Sequence, residues 1–69
     1  EQSAQTIQSL IKFLPEEQRE VLVLRYYADL SFKEISEMTN VSINTALGRM
    51  RYALINLRKM IDTQKVQLF

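Results

Sequence analysis

One glycine, Gly48, and one proline, Pro15, are all that 69 residues contain of the two types that most often reverse a chain. Folds built from short strands turn every few residues and need positions with positive or fixed φ, which this chain almost lacks. Long helices joined by short connections remain. The length lies near the limit at which a single hydrophobic core sustains a fold, and a helical bundle is the least demanding solution there. With 46% hydrophobic and 25% charged residues, the composition is that of a globular protein rather than a disordered tail.

Cysteine and histidine are both absent, which excludes disulfides, zinc sites of the usual ligand set, thiol nucleophiles and a histidine general base. The carboxylate pair Glu16 and Glu17 is explained by the positive end of a helix dipole rather than by acid/base catalysis, so we expect no enzymatic activity, no metal and no cofactor. No apolar run is long enough to cross a bilayer, and Glu1-Gln2-Ser3 lacks the basic and apolar segments of a signal peptide, so we expect a cytoplasmic protein with no membrane insertion. The chain starts without methionine, which points to excision from a longer protein, to processing or to engineering. The net charge of +1 conceals a division: residues up to Val41 hold four Lys/Arg against seven Asp/Glu, whereas Arg49, Arg51, Arg58, Lys59 and Lys65 face Asp62 alone from Ser42 onward. Such asymmetry is a hint of nucleic-acid binding.

Apolar spacing predicts a first helix over about residues 3–14, burying Ile7, Leu10, Ile11 and Leu14. Pro15 ends it, and Glu16, Glu17 and Glu20 open a second helix over 16–27, whose Val21, Leu22 and Leu24 belong in the core and whose Tyr26 and Tyr27 read as core and rim aromatics. Ser31 with Glu34 three residues on is a capping box for a short helix over 32–38, with Phe32, Ile35 and Met38 on one face. Asn40 is placed to close it in the left-handed conformation. Ser42 caps the longest helix, over 43–61, with Ile43, Ala46, Met50, Ala53, Leu54, Leu57 and Ile61 as its buried side. The three methionines read as core fillers. Residues 62–69 form a tail without assignment.

The expected fold class is therefore all-α: one domain over 1–69, a small four-helix bundle containing a helix-turn-helix, of the winged-helix-like and homeodomain-like kind without a wing. A short helix, a tight turn and a longer helix with a polar, basic outer face is the arrangement that sets a recognition helix in the major groove. That face carries Asn44, Gly48, Arg51, Tyr52, Ile55 and Lys59, with Thr45 at its margin. A glycine inside a helix costs about 1 kcal/mol relative to alanine, so Gly48 serves either close backbone approach to DNA or room for a neighbouring side chain. Arg51 is either a bidentate partner for a guanine edge or a solvated arginine. Ser42, Asn44 and Thr45, with the helix-start amides, suit a phosphate, although capping alone also explains Ser42. Lys33 is placed either to reach backbone phosphate or simply to be solvated.

Leu14-Pro15-Glu16-Glu17-Gln18-Arg19-Glu20-Val21-Leu22-Val23-Leu24-Arg25-Tyr26 resembles the LPxxxRxVxxLRY signature of bacterial sigma factor region 4. Ser31-Phe32-Lys33-Glu34-Ile35-Ser36 resembles its short capped segment, and Ser42-Ile43-Asn44-Thr45 with Arg49, Ala53 and Leu57 resembles its recognition helix. The likeness spans about Leu14 to Ile61 and is closest to the extracytoplasmic-function type. The resemblance implies binding of double-stranded promoter DNA at the −35 element, docking on the β-subunit flap of core RNA polymerase, and a surface that anti-sigma factors cover. It also adds Leu47 and Arg49 to the DNA-binding set of Lys33, Ser42, Asn44, Thr45, Gly48, Arg51, Tyr52 and Ile55.

Leu47, Leu54 and Ile55 stand where relatives commonly carry basic residues, and Gly48 where serine is frequent. Fewer phosphate contacts imply weaker binding and a shallower salt dependence. Two alternatives stay open at this level. The DNA-binding effector domain of LuxR-type response regulators has a similar second helix, but commonly places a glycine at Leu30 and a histidine at Arg49. A helical interaction module would use exposed apolar residues such as Tyr27, Ile55, Leu68 and Phe69 without touching DNA.

Overall fold

A computed structural model describes residues 8–64. Four helices follow one another: α1 at residues 8–11, α2 (Glu16–Tyr26), α3 (Phe32–Thr39) and α4 (Ile43–Gln64), with no strand among the described residues. Residues 3–7, where apolar spacing starts the first helix, and most of the expected tail lie outside that range.

Local chemistry sets each boundary. The amides of Lys12, Phe13 and Leu14 bond to carbonyls three residues back, at 3.3, 2.9 and 3.1 Å, so the chain tightens after residue 11 instead of continuing helical to Leu14. Pro15 is the reason: it disfavours helical φ/ψ in the residue before it. Pro15 itself stands at the N-cap of α2 with ψ 148, and Glu16 and Glu17 occupy the first turn. Helix α2 closes at Tyr26, one residue short of expectation. Asp29 adopts φ 60, and the Leu30 amide reaches back to the Leu24 carbonyl at 3.1 Å. The Arg25 guanidinium, 5.4 Å from the Phe32 ring centroid, donates to the Leu30 carbonyl at 2.9 Å and ties this connection to α3.

The capping box at α3 is present in both directions: the Ser31 amide donates to Glu34 Oε1 at 2.8 Å, and the Glu34 amide donates to Ser31 Oγ at 3.1 Å. The Ser31 amide first, and the Ser31 hydroxyl second, hold the Glu34 carboxyl below its ordinary value. Asn40 closes the helix at φ 60, ψ 43, and the Val41 amide bonds the Ser36 carbonyl at 3.0 Å.

Ile11, Leu14, Val21, Leu22, Ile35, Ala46, Met50 and Ala53 form one contiguous core drawn from every helix and the turn after α1. Several sequence expectations are corrected here. Met38 is 65% exposed; the inner side of α3 runs instead through Ile35, Ser36 and Thr39, whose hydroxyls donate at 2.7 Å to the Lys33 and Ile35 carbonyls of their own helix. Bonded in this way, two polar residues fill core-facing positions at little cost. Ile43 and Leu54 are 43% and 45% exposed because the buried stripe of α4 is narrower than expected, centred on Ala46, Met50 and Ala53. Tyr26 and Tyr27 are both exposed rather than core and rim. With Ile11, Leu22, Leu54 and Leu57 they line an apolar groove of about 210 Å³.

Candidate nucleic-acid interface

The turn between α3 and α4 spans Asn40 to Ser42, and Ser42 caps α4. Its Oγ accepts the Thr45 amide at 3.0 Å and donates to Thr45 Oγ1 at 3.0 Å, while its carbonyl accepts the Ala46 amide. Both hydroxyl residues stay exposed beside the first turn of α4, where helix geometry leaves leading amides without intrahelical acceptors. Lys33 is exposed at the start of α3.

At about 100° per residue, Asn44, Gly48, Arg51, Tyr52, Ile55 and Lys59 fall within one third of the circumference of α4, opposite Ala46 and Ala53. All but Gly48 are exposed, and Gly48 is half-buried. Arg51 has no ion-pair partner among the described residues. Leu47, at the edge of this face, is 43% exposed; with Ile43 and Leu54 it forms an apolar border.

Gly48 resolves one of the two readings open in the sequence. A Cβ built there would meet nothing within 4 Å, and its φ is not positive. Neither packing nor backbone geometry therefore asks for glycine, and room for a neighbouring side chain is not the explanation.

Arg49 departs from the rest of the set. Two helical steps, about 200°, separate it from Arg51, so the two guanidiniums leave α4 on different sides. The Arg49 side chain is 24% exposed, and its Nη2 lies 3.7 Å from Glu17 Oε2 at the start of α2. Two turns further along the same flank, Asn56 Nδ2 donates to Gln18 Oε1 at 2.7 Å. Sequence reasoning missed Gln18 and Asn56 and assigned Glu17 only to the helix dipole. The single available signal was the i, i+7 spacing of Arg49 and Asn56, which names no partner.

Residues 10–59 match the family described as Sigma-70, region 4. Among curated proteins, the chain is similar to the ECF RNA polymerase sigma factor SigW of Bacillus subtilis (strain 168), at 39% identity over 56 residues, covering 81% of this chain and 30% of that protein. It is also similar to the ECF RNA polymerase sigma factor SigK of Mycobacterium tuberculosis (strain H37Rv), at 36% identity over 52 residues, covering 75% of this chain and 28% of that protein. The chain thus spans under a third of the length of the curated relatives it matches. No solved structure matches it. The matched segment contains the turn after α1, the capped α3, and α4 as far as Lys59, so both the core and the outward face described above lie within it. The chain belongs to the sigma-70 region 4 family, as found in sigma factors of the extracytoplasmic-function type, rather than to the response-regulator alternative.

Proposed function

We propose that this chain reads the −35 element of promoter DNA by laying α4 in the major groove, acting in the cytoplasm as the C-terminal DNA-binding domain of a sigma factor. The observation that carries the reading is Gly48: a helix-interior glycine that the protein's own packing does not require, set among exposed Asn44, Arg51 and Tyr52. A missing side chain on the outer face lets a phosphate or base edge approach the backbone. Arg51 and Asn44 offer the geometries suited to guanine and adenine edges, and Tyr52, Leu47 and Ile55 add apolar contact of the kind that thymine methyl groups accept. Ser42, Thr45 and Lys33 serve phosphate. Base contacts then set specificity while phosphate contacts set register.

The protein partners proposed are core RNA polymerase, through the flap of its β subunit, and an anti-sigma factor. The apolar groove between Tyr26, Tyr27, Leu54 and Leu57 supplies surface suited to an apolar partner segment. No cofactor or metal enters this function.

Promoter-dependent transcription with added core polymerase tests the reading. Arg51→Ala and Asn44→Ala are expected to reduce it strongly while helicity and polymerase binding stay unchanged. Transcription unaltered by both substitutions would sink the proposal and favour an interaction module that never contacts DNA.

A further inference from the structure

Arg49 and Asn56 lie seven residues apart on α4, 20° short of two full turns and about 10.5 Å along the axis, so they project from the same flank. Ala53 sits between them at 0% exposure. Against this flank stands the beginning of α2, where the consecutive residues Glu17 and Gln18 each engage one of the pair, at 3.7 and 2.7 Å. A small side chain in the middle leaves room for the α2 start, and a polar contact lies on either side of it, where it would oppose rolling or sliding of α4. The Asn56–Gln18 contact is partly buried and bridges 38 residues of sequence.

We infer that Arg49 and Asn56 are positioning residues which, held by Glu17 and Gln18, form a two-point clasp that sets the direction in which α4 presents Asn44, Gly48 and Arg51. The inference rests on the promoter-binding reading and removes Arg49 from the DNA-contacting set. A half-exposed ion pair adds little to stability. Its effect here is angular: rotation of α4 about its axis displaces every outer side chain together, and base contacts tolerate such displacement poorly whereas phosphate attraction tolerates it well. The clasp therefore governs the preference for the promoter over unrelated DNA.

The test is the affinity of promoter and unrelated duplex for the protein in the presence of core polymerase, measured across salt concentrations. Arg49→Glu and Glu17→Arg are each expected to weaken the promoter complex by roughly tenfold, and the double variant Glu17→Arg/Arg49→Glu to recover to within about threefold of the unaltered protein. Gln18→Ala, which changes no charge, is expected to weaken promoter binding by about threefold while leaving unrelated-DNA binding and the salt slope unchanged. If Arg49 instead binds phosphate, the exchanged pair stays as weak as Arg49→Glu, and Arg49→Ala lowers the salt slope by about 0.9; either result overturns the inference. Should Arg49→Glu fail to fold by circular dichroism, Gln18→Ala decides, and promoter affinity unchanged in that variant overturns it as well. Arg51→Ala is the control for the underlying reading: if it binds promoter as tightly as the unaltered protein, the promoter reading itself fails, whatever the exchanged pair does.

Discussion

Small residues occur on both sides of α4, and their surroundings differ. On the inner side, Ala46 and Ala53 are fully buried, and their size is set by helices already packed against them. On the outer side, Gly48 is smaller still, yet a Cβ there would meet nothing. An inner small residue reports a neighbour that is present in the fold. An outer one forfeits helix propensity with no neighbour in the fold to account for it, and on the promoter-binding proposal that neighbour is DNA. The same contrast separates adjacent residues: Met50 is 6% exposed within the core, while Arg51 faces solvent.

The largest expected effect breaks the inner side. Met50→Ala removes a buried side chain contacting the core and is expected to cost about 2–5 kcal/mol. A chain of this length has a total stability of roughly 3–10 kcal/mol, so urea denaturation is expected to show a much lower midpoint or no folded baseline. One residue further on, Arg51→Ala is expected to leave the urea midpoint within about 0.5 kcal/mol of the original. On the promoter-binding proposal, discrimination at the base pair Arg51 faces is expected to fall by roughly 1–3 kcal/mol, measured by binding to promoters altered one base pair at a time. A stability loss in Arg51→Ala matching that of Met50→Ala would erase the distinction between the two sides.

Gly48→Ala sharpens the comparison because its two effects are expected to have opposite signs. With space for the methyl group and a better helix former in place, the melting temperature is expected to rise, by up to about 1 kcal/mol in stability. Promoter affinity is expected to drop. A rise in both would show that no backbone approach occurs at this position.

The smallest expected effect lies away from α4, at the cap of α3. The Glu34 carboxyl titrates lower in the folded chain than in the unfolded one, so its contact with Ser31 contributes stability above the unfolded value, and that contribution is lost as pH falls through the folded value. Thermal melts from neutral to acid pH are expected to show a slightly smaller acid-side decline in Glu34→Gln than in the unaltered chain. An identical decline would mean that the cap is not coupled to folding.

Features whose partners lie within a few residues were open to reading. Ser31 and Glu34 meet across three positions, Asn40 closes α3 in the conformation its short amide side chain favours, and Ser42 caps α4 through Thr45. Asp29 takes a positive φ with no glycine or capping pair beside it to mark the position in the sequence. The errors cluster at the edges of helical faces. Periodicity assigned Met38, Ile43 and Leu54 inward since all are apolar, but how wide a stripe is covered depends on how closely the next helix approaches. On α4 the covered stripe is Ala46, Met50 and Ala53, and Ile43 and Leu54 lie beyond its edge.

From its residues alone, this chain was bound to be helical, to break where Pro15 and Asn40 break it, and to gather its excess of positive charge in the last third. Each of those outcomes depends on interactions spanning a turn or less, or on composition. The pairing of Arg49 and Asn56 with Glu17 and Gln18, and the open space beside Gly48, were settled only by tertiary packing. Contacts between residues more than thirty positions apart depend on the distance and crossing of packed helices, and local sequence does not encode these.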